Sequence, residues 1–379
     1  MSGYYEITFF DENLVPQGLF QGWEYIEFTQ RVNAPWNHNI RLKTSNDDAM
    51  TTFLRNADGM VDWIFLVHRV DPVAGIEHLV YEGFNRTIVD QFDSKGNIIF
   101  NLYGVGFTEL LQRRIVLPPT GLETLAIAGY AETVMKEFVR SQCINPADPT
   151  RKIPNLSNEV DSSSGNTVSY SARYTILNTV VDKCAVDGEV DYGVVGGNPF
   201  TGGTVGNFEF QVRPTWGLDR RVGNIYGNAP TIFDASLNNM SVPIYSVNSS
   251  GEKNYVYVGG QGQGINREIR QGSNVAGIAK SPWNRREDFA DARLESTTAA
   301  LDLYAADLLE ANKISRSLTF NVIQTLGMRW GVNWNLGDII TSRYYEVQAD
   351  QKITEVTVRI GSGSSGMTEF IAAEFTQLV

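Results

Sequence analysis

Residues 88–103 read IVDQFDSKGNIIFNLY and are typical of a β-hairpin. The polar residues 93–97 separate two segments rich in β-branched and aromatic side chains, and Gly96 can adopt the positive φ that the turn needs. Upstream, residues 63–70 are mostly apolar, as expected for a strand that is buried on both faces. We therefore predict a β domain over residues 1–117.

The middle of the chain has a different character, which begins after Pro118 and Pro119. Apolar residues recur twice at helical spacing, and the second of these helices carries Cys184 on its apolar face. The predicted elements are helices at 129–142 and 172–187, a surface loop at 145–167, strands at 190–195 and 207–213, and a glycine-rich loop at 196–206. They indicate a small α/β domain over residues 118–214.

The last third returns to β-structure and contains one long helix. Alternating residues predict strands at 254–258, 318–322 and 356–360. An apolar stripe predicts a helix over about residues 286–313, roughly 40 Å long at the α-helical rise per residue. Because it has one apolar face, it should pack on a sheet. We therefore predict an α+β, mainly β fold, in which a second β domain over residues 215–379 carries the long helix.

Composition and charge exclude several classes of protein. The chain has 379 residues, 42% of them hydrophobic and 20% charged, so it can form two or three packed cores and is not disordered. The formal net charge of -12 is wrong for a protein that grips duplex DNA, since phosphates must be neutralised by cations. We see no signal peptide and no apolar run that could cross a membrane, and we expect a soluble protein. Cys143 and Cys184 are expected to be free, buried thiols.

Residues that could carry chemistry are few and unsuitably spaced. His38, His68 and His78 show no metal-ligand spacing, and the sequence has no nucleophile elbow and no phosphate-binding loop. His68 lies in an apolar strand, so we expect a hydrogen-bonded core or interface residue. Zinc enzymes, serine hydrolases and nucleotide hydrolases are disfavoured. We predict no catalytic, cofactor-binding or metal site.

Two motifs could be mistaken for active sites. Residues 258–264 (VGGQGQG) follow a strand, but a dinucleotide fingerprint needs a third glycine where Arg267 stands, so we interpret them as a turn between strands. Asp187, Glu189 and Asp191 form an acidic cluster, in which Glu189 and Asp191 would share one face of a strand. Glycosidases use two carboxyl groups. A hydrolase therefore stays open as an alternative, although an acidic protein yields such clusters by chance.

The order of several motifs resembles a known family. In the second half these are residues 286–293 (REDFADAR), 317–321 (SLTFN), 331–340 (GVNWNLGDII) and 353–356 (ITEV). In the first half they are residues 104–111 (GVGFTELL), 113–119 (RRIVLPP) and 131–136 (AETVMK). Over about residues 80–379 the order resembles the tail hub, or baseplate hub, proteins of long-tailed phages, in particular a siphophage tail-protein family. Asp338 is expected to anchor a turn or loop, and residues 196–206 depart from the family pattern.

The resemblance implies a structural protein of the virion and not an enzyme. Proteins of this kind form trimers in which each chain contributes two tube-like β-barrel or sandwich units, so that six units match the sixfold tail tube. The two predicted β domains fit this arrangement, and the middle domain would face the tip or neighbouring proteins. The ring would close or continue the tail tube at the tip and let DNA pass during ejection. Three chains at -12 give -36, so acidic side chains in the lumen would let DNA slide without specific binding.

The resemblance also implies partners and a location. Besides the homotrimer, the partners would be the tail tube or distal tail protein, the tape measure protein, and tail tip, spike or fibre proteins, with no cofactor and no membrane insertion. The protein would be made and assembled in the host cytoplasm and would reside at the tail tip of the virion. Two alternatives stay open. One is a receptor- or carbohydrate-binding module at the tail tip, suggested by seven Trp and 16 Tyr, and the other is a cell-wall-degrading hydrolase.

Overall fold

The computed structural model describes residues 4–19, 23–44, 60–71, 73, 75, 77–198, 202–293, 297–363 and 366–378. The chain divides into two compact units. Unit 1 consists of residues 1–241 and 321–379, and unit 2 consists of residues 242–320. The division into three domains at residues 117/118 and 214/215 stays a prediction.

β-Strands make up most of the regular structure. The first part of the chain forms β1 (Tyr4–Phe10), β2 (Pro16–Leu19), β3 (Trp23–Arg31), β4 (Asn37–Thr44), β5 (Ile64–Val70), β6 (Glu77–Phe92) and β7 (Ile98–Gly106). The middle part forms β8 (Leu125–Tyr130), β9 (Leu156–Asn158), β10 (Thr167–Ala172), β11 (Asp191–Gly196), β12 (Phe208–Arg213) and β13 (Ile232–Asp234). The last part forms β14 (Met240–Asn248), β15 (Tyr255–Gly259), β16 (Ile269–Ser273), β17 (Glu287–Asp291), β18 (Ser315–Val322), β19 (Ile339–Tyr344), β20 (Val347–Gly363) and β21 (Gly366–Gln377). A mainly β, α+β fold is therefore confirmed.

One large sheet in unit 1 joins the two ends of the chain. Its strand order is β13-β19-β20-β3-β4-β7-β6-β5-β1-β2, and β21 pairs with the other side of β20. β3 and β20 are antiparallel, with Arg31 opposite Glu355 and Phe28 opposite Val358. Strands from the predicted first and last β domains thus lie in a single sheet. Among the described residues, the two end strands of this order, β13 and β2, do not pair with each other, so the sheet is open.

The predicted hairpin at residues 88–103 is confirmed as the end of β6 and most of β7. In its turn, Asp93 Oδ1 accepts hydrogen bonds from the backbone N–H groups of Lys95 (2.7 Å) and Asn97 (2.8 Å). Gly96 has a φ of 80°. The turn chemistry read from the sequence therefore fixes the register of β6 and β7.

The middle part of unit 1 packs two helices against short strands. Helix α1 (Ala131–Val139) and helix α2 (Leu177–Gly188) bury Phe138, Val181 and Cys184 in one hydrophobic core. β8 pairs with β10, and β12 lies between β11 and β9. This arrangement agrees with the predicted mixture of helices and strands.

Several predicted boundaries in this part need correction. The helix predicted at 129–142 is α1, which continues as a π-helical turn over Arg140–Ile144. The helix predicted at 172–187 begins only at Leu177, because residues 167–172 pair with β8 as β10. The surface loop predicted at 145–167 contains β9, whose Leu156 is buried. Of the glycine-rich loop at 196–206, residues 199–201 lie outside the described residues.

Unit 2 is built around a three-stranded sheet with a helix on one face. β15 lies between the antiparallel β16 and the parallel β17. After the short helix α3 (Val275–Ile278), helix α4 (Thr298–Ala311) packs through Leu301 and Ala305 on Val256 and Val258 of β15. β14 and β18 pair as a separate ribbon.

The helix predicted over residues 286–313 is wrong in its first half. Glu287–Asp291 form β17, and residues 294–296 lie outside the described residues. α4 begins at Thr298, where the hydroxyl of Thr297 accepts a hydrogen bond from the backbone N–H of Ala300 (3.2 Å). At 14 residues, α4 is roughly 21 Å long. Phe289 fitted the apolar stripe of a helix, but pairing with β15 outweighs that local spacing.

A buried charge cluster shows that the large sheet is strongly curved. Arg69 on β5 and Glu369 on β21 lie six strands apart in the sheet order, which in a flat sheet is roughly 28 Å. Yet Arg69 Nε lies 2.7 Å from Glu369 Oε1, and Arg69 Nη2 lies 3.2 Å from Oε2. Asp71 lies 3.6 Å from Arg69 and also pairs with Arg329. The cluster contains two cations and two carboxylates, so its formal charge balances.

We predict that Glu369→Ala lowers the free energy of unfolding by about 3–5 kcal/mol, because it removes the bidentate partner of a buried guanidinium. Side-chain exposure of Arg69 is only 2%. Urea unfolding followed by tryptophan fluorescence measures the loss. Glu137→Ala is the matched control: its ion pair with Arg140 is exposed, so the loss should stay below about 1 kcal/mol. Equal losses in the two variants would contradict the role of the buried cluster.

Candidate functional site

The histidines do not gather into a reactive site. His38 is buried with Nδ1 2.9 Å from the hydroxyl of Tyr81, and burial lowers the pKa of His38 to about 3. Burial also lowers the pKa values of His68 and His78. His68 is a buried residue of β5, in agreement with the predicted core position. In the described part of the chain, no group of three or more His, Cys, Asp or Glu side chains could hold a metal ion.

The two cysteines are buried in the core of the middle part. Both Cys143 and Cys184 are free thiols, as predicted. Burial raises the pKa of each thiol to about 12. A nucleophilic cysteine needs the thiolate form, so neither thiol is suited to catalysis near neutral pH.

Arg267 occupies the space beside the glycine-rich turn. Its Nε donates a hydrogen bond to the carbonyl oxygen of Gly260 (3.0 Å), and its Nη2 donates to that of Gly259 (2.8 Å). The guanidinium also pairs with Asp291. Because β15 and β16 on either side of the turn are antiparallel, the segment is a turn between strands, as predicted.

The structure gives the three carboxylates of the predicted acidic cluster different surroundings. Asp187 is exposed and accepts a hydrogen bond from the hydroxyl of Tyr170. Glu189 is exposed and caps the C-terminus of α2 with a φ of 53°, whereas Asp191 is buried at the start of β11. The prediction that Glu189 and Asp191 share one face of a strand is wrong, because Glu189 lies outside β11. Because Asp191 is buried and paired with Lys352, it is not available as one of the two carboxyl groups that a glycosidase places beside its substrate.

Instead, the carboxylate of Asp191 joins distant parts of unit 1. It accepts hydrogen bonds from Lys352 Nζ (2.5 Å), the backbone N–H of Trp216 (2.6 Å) and Asn33 Nδ2 (3.4 Å). Asn33 belongs to the predicted first domain, Asp191 to the predicted middle domain, and Trp216 and Lys352 to the predicted third domain. We call these four residues the Asp191 joint. A buried carboxylate with three donors from separate segments holds those segments in one relative position.

Asn33 strengthens the joint from its other side. Its side-chain oxygen accepts a hydrogen bond from the backbone N–H of Tyr192 (2.7 Å), and its carbonyl oxygen accepts one from the Tyr192 hydroxyl (3.1 Å). Asn33 has a φ of 58°, a left-handed conformation that asparagine adopts more readily than most residues. The turn between β3 and β4 is thereby attached to β11.

A second buried carboxylate, that of Asp338, anchors a neighbouring loop. It accepts hydrogen bonds from the backbone N–H groups of Leu218 (2.7 Å) and Asn335 (2.9 Å) and from Arg220 Nε (3.0 Å). Burial raises the pKa of Asp338, and these three donors oppose the rise. The backbone approaches closely here, since a Cβ on Gly217 would lie 2.3 Å from Asp338 N. Asp338 is a loop anchor, as predicted.

A cleft of about 670 Å³ opens beside Asp338 and beside Trp216 of the Asp191 joint. Trp36, Trp216, Asn335 and Asp338 are among its lining residues. Trp36 is fixed by a hydrogen bond from its indole N–H to the carbonyl oxygen of Arg31 (2.9 Å). A cleft of this size with aromatic walls is able to hold a small molecule.

Glu82 on β6 is a buried carboxyl group at the edge of a very small cavity. Its Oε1 accepts a hydrogen bond from the backbone N–H of Gly196 (2.8 Å), and its Oε2 has no hydrogen-bond partner among the described residues. The cavity of about 10 Å³, also lined by Arg31 and Thr108, is close to the size of one water molecule. Burial raises the pKa of Glu82 to about 7, although the bond from Gly196 opposes the rise. Glu82 therefore links β6 to the end of β11 through a group that titrates near neutrality.

Neither the Asp191 joint nor the position of Glu82 was found from the sequence. In the sequence, Asp191 is recognisable only as one member of an acidic cluster. No sequence pattern marks Lys352 or Asn33 as its partners. Asn33 lies more than 150 positions before Asp191 in the sequence, and Lys352 lies more than 150 positions after it. The chemistry of the joint is structural, because its named charged groups neutralise each other. Among the described residues, no helix combines the length and the apolar composition needed to span a lipid bilayer.

Comparison with known families gives a match over almost the whole chain. Residues 6–370 match the model of the family described as Siphovirus ReqiPepy6 Gp37-like protein. No curated protein sequence matches the chain.

Solved structures of tail proteins share the fold. The tail protein from Neisseria meningitidis is 12% identical, with 98% of this chain and 96% of that chain covered and a TM-score of 0.55. The 43 kDa tail protein of prophage MuSo2 from Shewanella oneidensis is 10% identical, with 97% and 98% covered and a TM-score of 0.58. The prophage tail protein gp18 from Listeria monocytogenes is 10% identical, with 97% and 94% covered and a TM-score of 0.54. At these identities the similarity shows a common fold.

We predict that Asp191→Ala lowers the free energy of unfolding by about 3 kcal/mol or more, because it leaves the Lys352 ammonium largely buried without its carboxylate. Limited proteolysis of the variant should also cleave near residue 216 faster than in the parent protein. Asp187→Ala is the matched control from the same acidic cluster, and its exposed position predicts a loss below about 1 kcal/mol. A variant at Asp191 that is as stable and as protease-resistant as the control would exclude the joint.

We predict that Glu82 makes a contribution to stability that falls as the pH rises from 5 to 8, whereas the three histidines, whose pKa values are lowered, make contributions that rise as the pH increases toward 6.5. The pKa of Glu82 is about 7 in the folded state against 4.5 ordinarily, so the folded state holds the proton more tightly. The stabilisation that comes from protonated Glu82 is complete below pH 4.5 and disappears as the pH rises through 7. The corresponding loss in the free energy of unfolding is on the order of 3 kcal/mol. In urea unfolding at a series of pH values, the difference in stability between the parent protein and Glu82→Gln should show this fall, whereas Glu137→Gln should follow the parent protein. Parallel curves for the parent protein and Glu82→Gln would contradict the assignment.

Proposed function

Because the chain belongs to the Siphovirus ReqiPepy6 Gp37-like protein family and has the fold of phage tail proteins, we propose that it is a tail hub protein that forms a trimeric ring at the tail tip. The family match confirms the resemblance that the order of the motifs indicated. The protein is thus a structural component of a phage tail or baseplate. The observation that carries the proposal is the match over residues 6–370.

Within the ring, three chains would continue or close the tail tube and let DNA pass during ejection. The distribution of charge supports this part of the proposal. Residues 242–320 contain nine acidic and nine basic residues, so the whole net charge of -12 belongs to unit 1, which contains the large sheet. Acidic side chains along a channel would repel phosphates and keep DNA from binding.

The buried ion pairs and hydrogen bonds within unit 1 also support a structural role. The Asp191 joint and the Arg69–Glu369 pair fix segments from the beginning, middle and end of the sequence. A ring that binds the tail tube or distal tail protein, the tape measure protein and tip, spike or fibre proteins needs fixed surfaces. Buried, hydrogen-bonded charges provide such rigidity because they have few alternative arrangements.

The cleft beside Trp36 and Trp216 favours one second candidate, a receptor- or carbohydrate-binding module at the tail tip. Aromatic rings stack on the apolar faces of sugars, and the polar lining groups could bond hydroxyls. Binding of oligosaccharides to the isolated protein on a glycan array would support it. A cell-wall hydrolase has less support, since Asp191 of the predicted acidic cluster is buried and paired with Lys352. A zymogram on cell walls tests it directly.

We predict that the purified chain is trimeric, alone or after addition of tail tubes, and that electron microscopy shows rings with threefold symmetry and a central channel. Native mass spectrometry of the same sample measures the number of chains. Duplex DNA should not bind at physiological ionic strength, because an acidic channel offers it no cations. A protein that stays monomeric and also fails to bind tail tubes would exclude the hub.

A further inference from the structure

Two arginines without carboxylate partners lie side by side in the middle part of unit 1. Arg114 Nε donates a hydrogen bond to the carbonyl oxygen of Arg151 (2.7 Å). Arg151 Nη2 donates to the carbonyl oxygen of Ile115 (2.5 Å), and its Nη1 donates to Gln142 Oε1 (3.0 Å). Neither guanidinium forms an ion pair with a carboxylate of the described residues.

Both cations line one pocket of about 350 Å³. Its other lining residues are Gln112, Arg113, Ile115 and Thr150. Arg113 is neutralised, because it pairs with Glu109 (2.6 Å) and Asp62 (2.8 Å). The pocket wall therefore carries two positive charges that its own residues do not balance.

An acidic group near the pocket, Asp148, forms no ion pair with its arginines. Asp148 accepts hydrogen bonds from the hydroxyl (2.7 Å) and the backbone N–H (2.9 Å) of Thr150 and forms no ion pair with Arg151. These bonds lower the pKa of Asp148, with a smaller contribution from the charge of Arg151. Asp148 thus reduces the local field without occupying the guanidinium groups.

The guanidinium groups are held in place before any ligand arrives. Arg114 also donates from Nη1 to the carbonyl oxygen of Arg113 (3.0 Å), so backbone carbonyls fix both side chains. Arg114 Nη2 and Arg151 Nε still carry N–H groups that donate no hydrogen bond within the described residues. Holding like charges together is unfavourable, and an anion between them would relieve the repulsion. Fixed donors also lose little side-chain entropy on binding.

The local sequence explains why this arrangement forms. Residues 113–119 (RRIVLPP) leave a 3-10 helix and run beside residues 174–177, where Val116 N–H donates to the carbonyl oxygen of Thr175 (2.8 Å). Leu117 N–H donates to Gln142 Oε1 (3.0 Å), the same oxygen that binds Arg151. The backbone that positions Arg114 and the side chain that positions Arg151 are therefore parts of one network.

We propose that the pocket between Arg114 and Arg151 binds a phosphate group. Guanidinium groups match the oxygens of phosphate with parallel hydrogen bonds, and two unbalanced positive charges match a phosphate monoester, which carries close to two negative charges at neutral pH. A single carboxylate would balance only one of them. The proposal goes beyond the hub and does not depend on it. A free monoester would balance both charges by itself, whereas a phosphodiester polymer or a lipid surface would balance them with two neighbouring phosphodiester groups.

Titration calorimetry of the full chain in a phosphate-free buffer tests the site. The probes are inorganic phosphate, glycerol 3-phosphate, a dinucleotide as phosphodiester and acetate as carboxylate, and vesicles of phosphatidylcholine with and without phosphatidylglycerol are tested by co-sedimentation. We expect glycerol 3-phosphate to bind at least tenfold more tightly than acetate. Arg114→Gln and Arg151→Gln should each weaken it at least tenfold, whereas Arg173→Gln should not, because Arg173 is an exposed cation stacked on Tyr174 outside the pocket.

Each outcome decides the proposal. Binding of the monoester, the dinucleotide or the anionic vesicles that both pocket variants weaken supports it and identifies the source of the phosphate. No binding of any phosphate probe, or equal binding by the parent and both variants, overturns it. Acetate binding as tight as phosphate overturns it in favour of an acidic protein partner. If Arg151→Gln melts at a lower temperature than the parent protein, Arg151→Lys serves as the second variant. It keeps the charge but loses the planar guanidinium, so it should still weaken binding of glycerol 3-phosphate. Native mass spectrometry of the same variants reports separately on trimer formation.

Discussion

The pairing of β3 with β20 is the contact on which the rest of unit 1 depends. It places Arg31 opposite Glu355, 324 positions away, where their side chains form an ion pair at 2.7 Å. Closing so long a loop costs only logarithmically more than closing a short one, so the separation slows folding more than it destabilises the folded state. Once β20 is in place, Lys352 reaches Asp191, and β21 brings Glu369 to Arg69. Both buried ion pairs are therefore consequences of this strand pairing.

In unit 1, the partners of a charged side chain depend on whether the side chain is buried or exposed. Three carboxylates inside the fold, those of Asp191, Asp338 and Glu369, each meet a cation and further donors. Glu82 is the contrasting case, because its carboxyl group accepts a hydrogen bond only from the backbone N–H of Gly196 among the described residues. The acidic residues at the surface of unit 1 make that surface negative, and unit 2 adds no net charge. Against that background, backbone carbonyls and an amide hold Arg114 and Arg151, whereas carboxylates hold Arg69 and Arg220. An anion from outside the chain is the partner that this chemistry lacks.

The sequence allowed local features to be predicted better than distant ones. The hairpin at residues 88–103 and the strand at 356–360 follow from turn residues and alternation, which depend on neighbours in the chain. The helix over 286–313 was wrong because Phe289 fits an apolar stripe at both helical and strand spacing, and only pairing with β15 decides between them. The Asp191 joint could not be predicted at all, since nothing near Lys352 in sequence indicates a buried carboxylate 161 positions away. The same limit applies to Arg114 and Arg151, whose proximity depends on the packing of Gln142.

Buried ion pairs contribute little net stability, because the cost of desolvation offsets their attraction. We infer that their role here is to select the register of the last hairpin. Side chains alternate between the faces of a strand, so a one-residue slip of β21 on β20 would turn Glu369 to the opposite face and leave Arg69 without its carboxylate. A slip of β20 would likewise remove Lys352 from Asp191. An apolar side chain could be replaced by another apolar neighbour after such a slip, whereas a buried cation without its partner is strongly unfavourable. The two pairs thus discriminate against wrong registers in the part of the sheet whose partner strands lie farthest away in sequence.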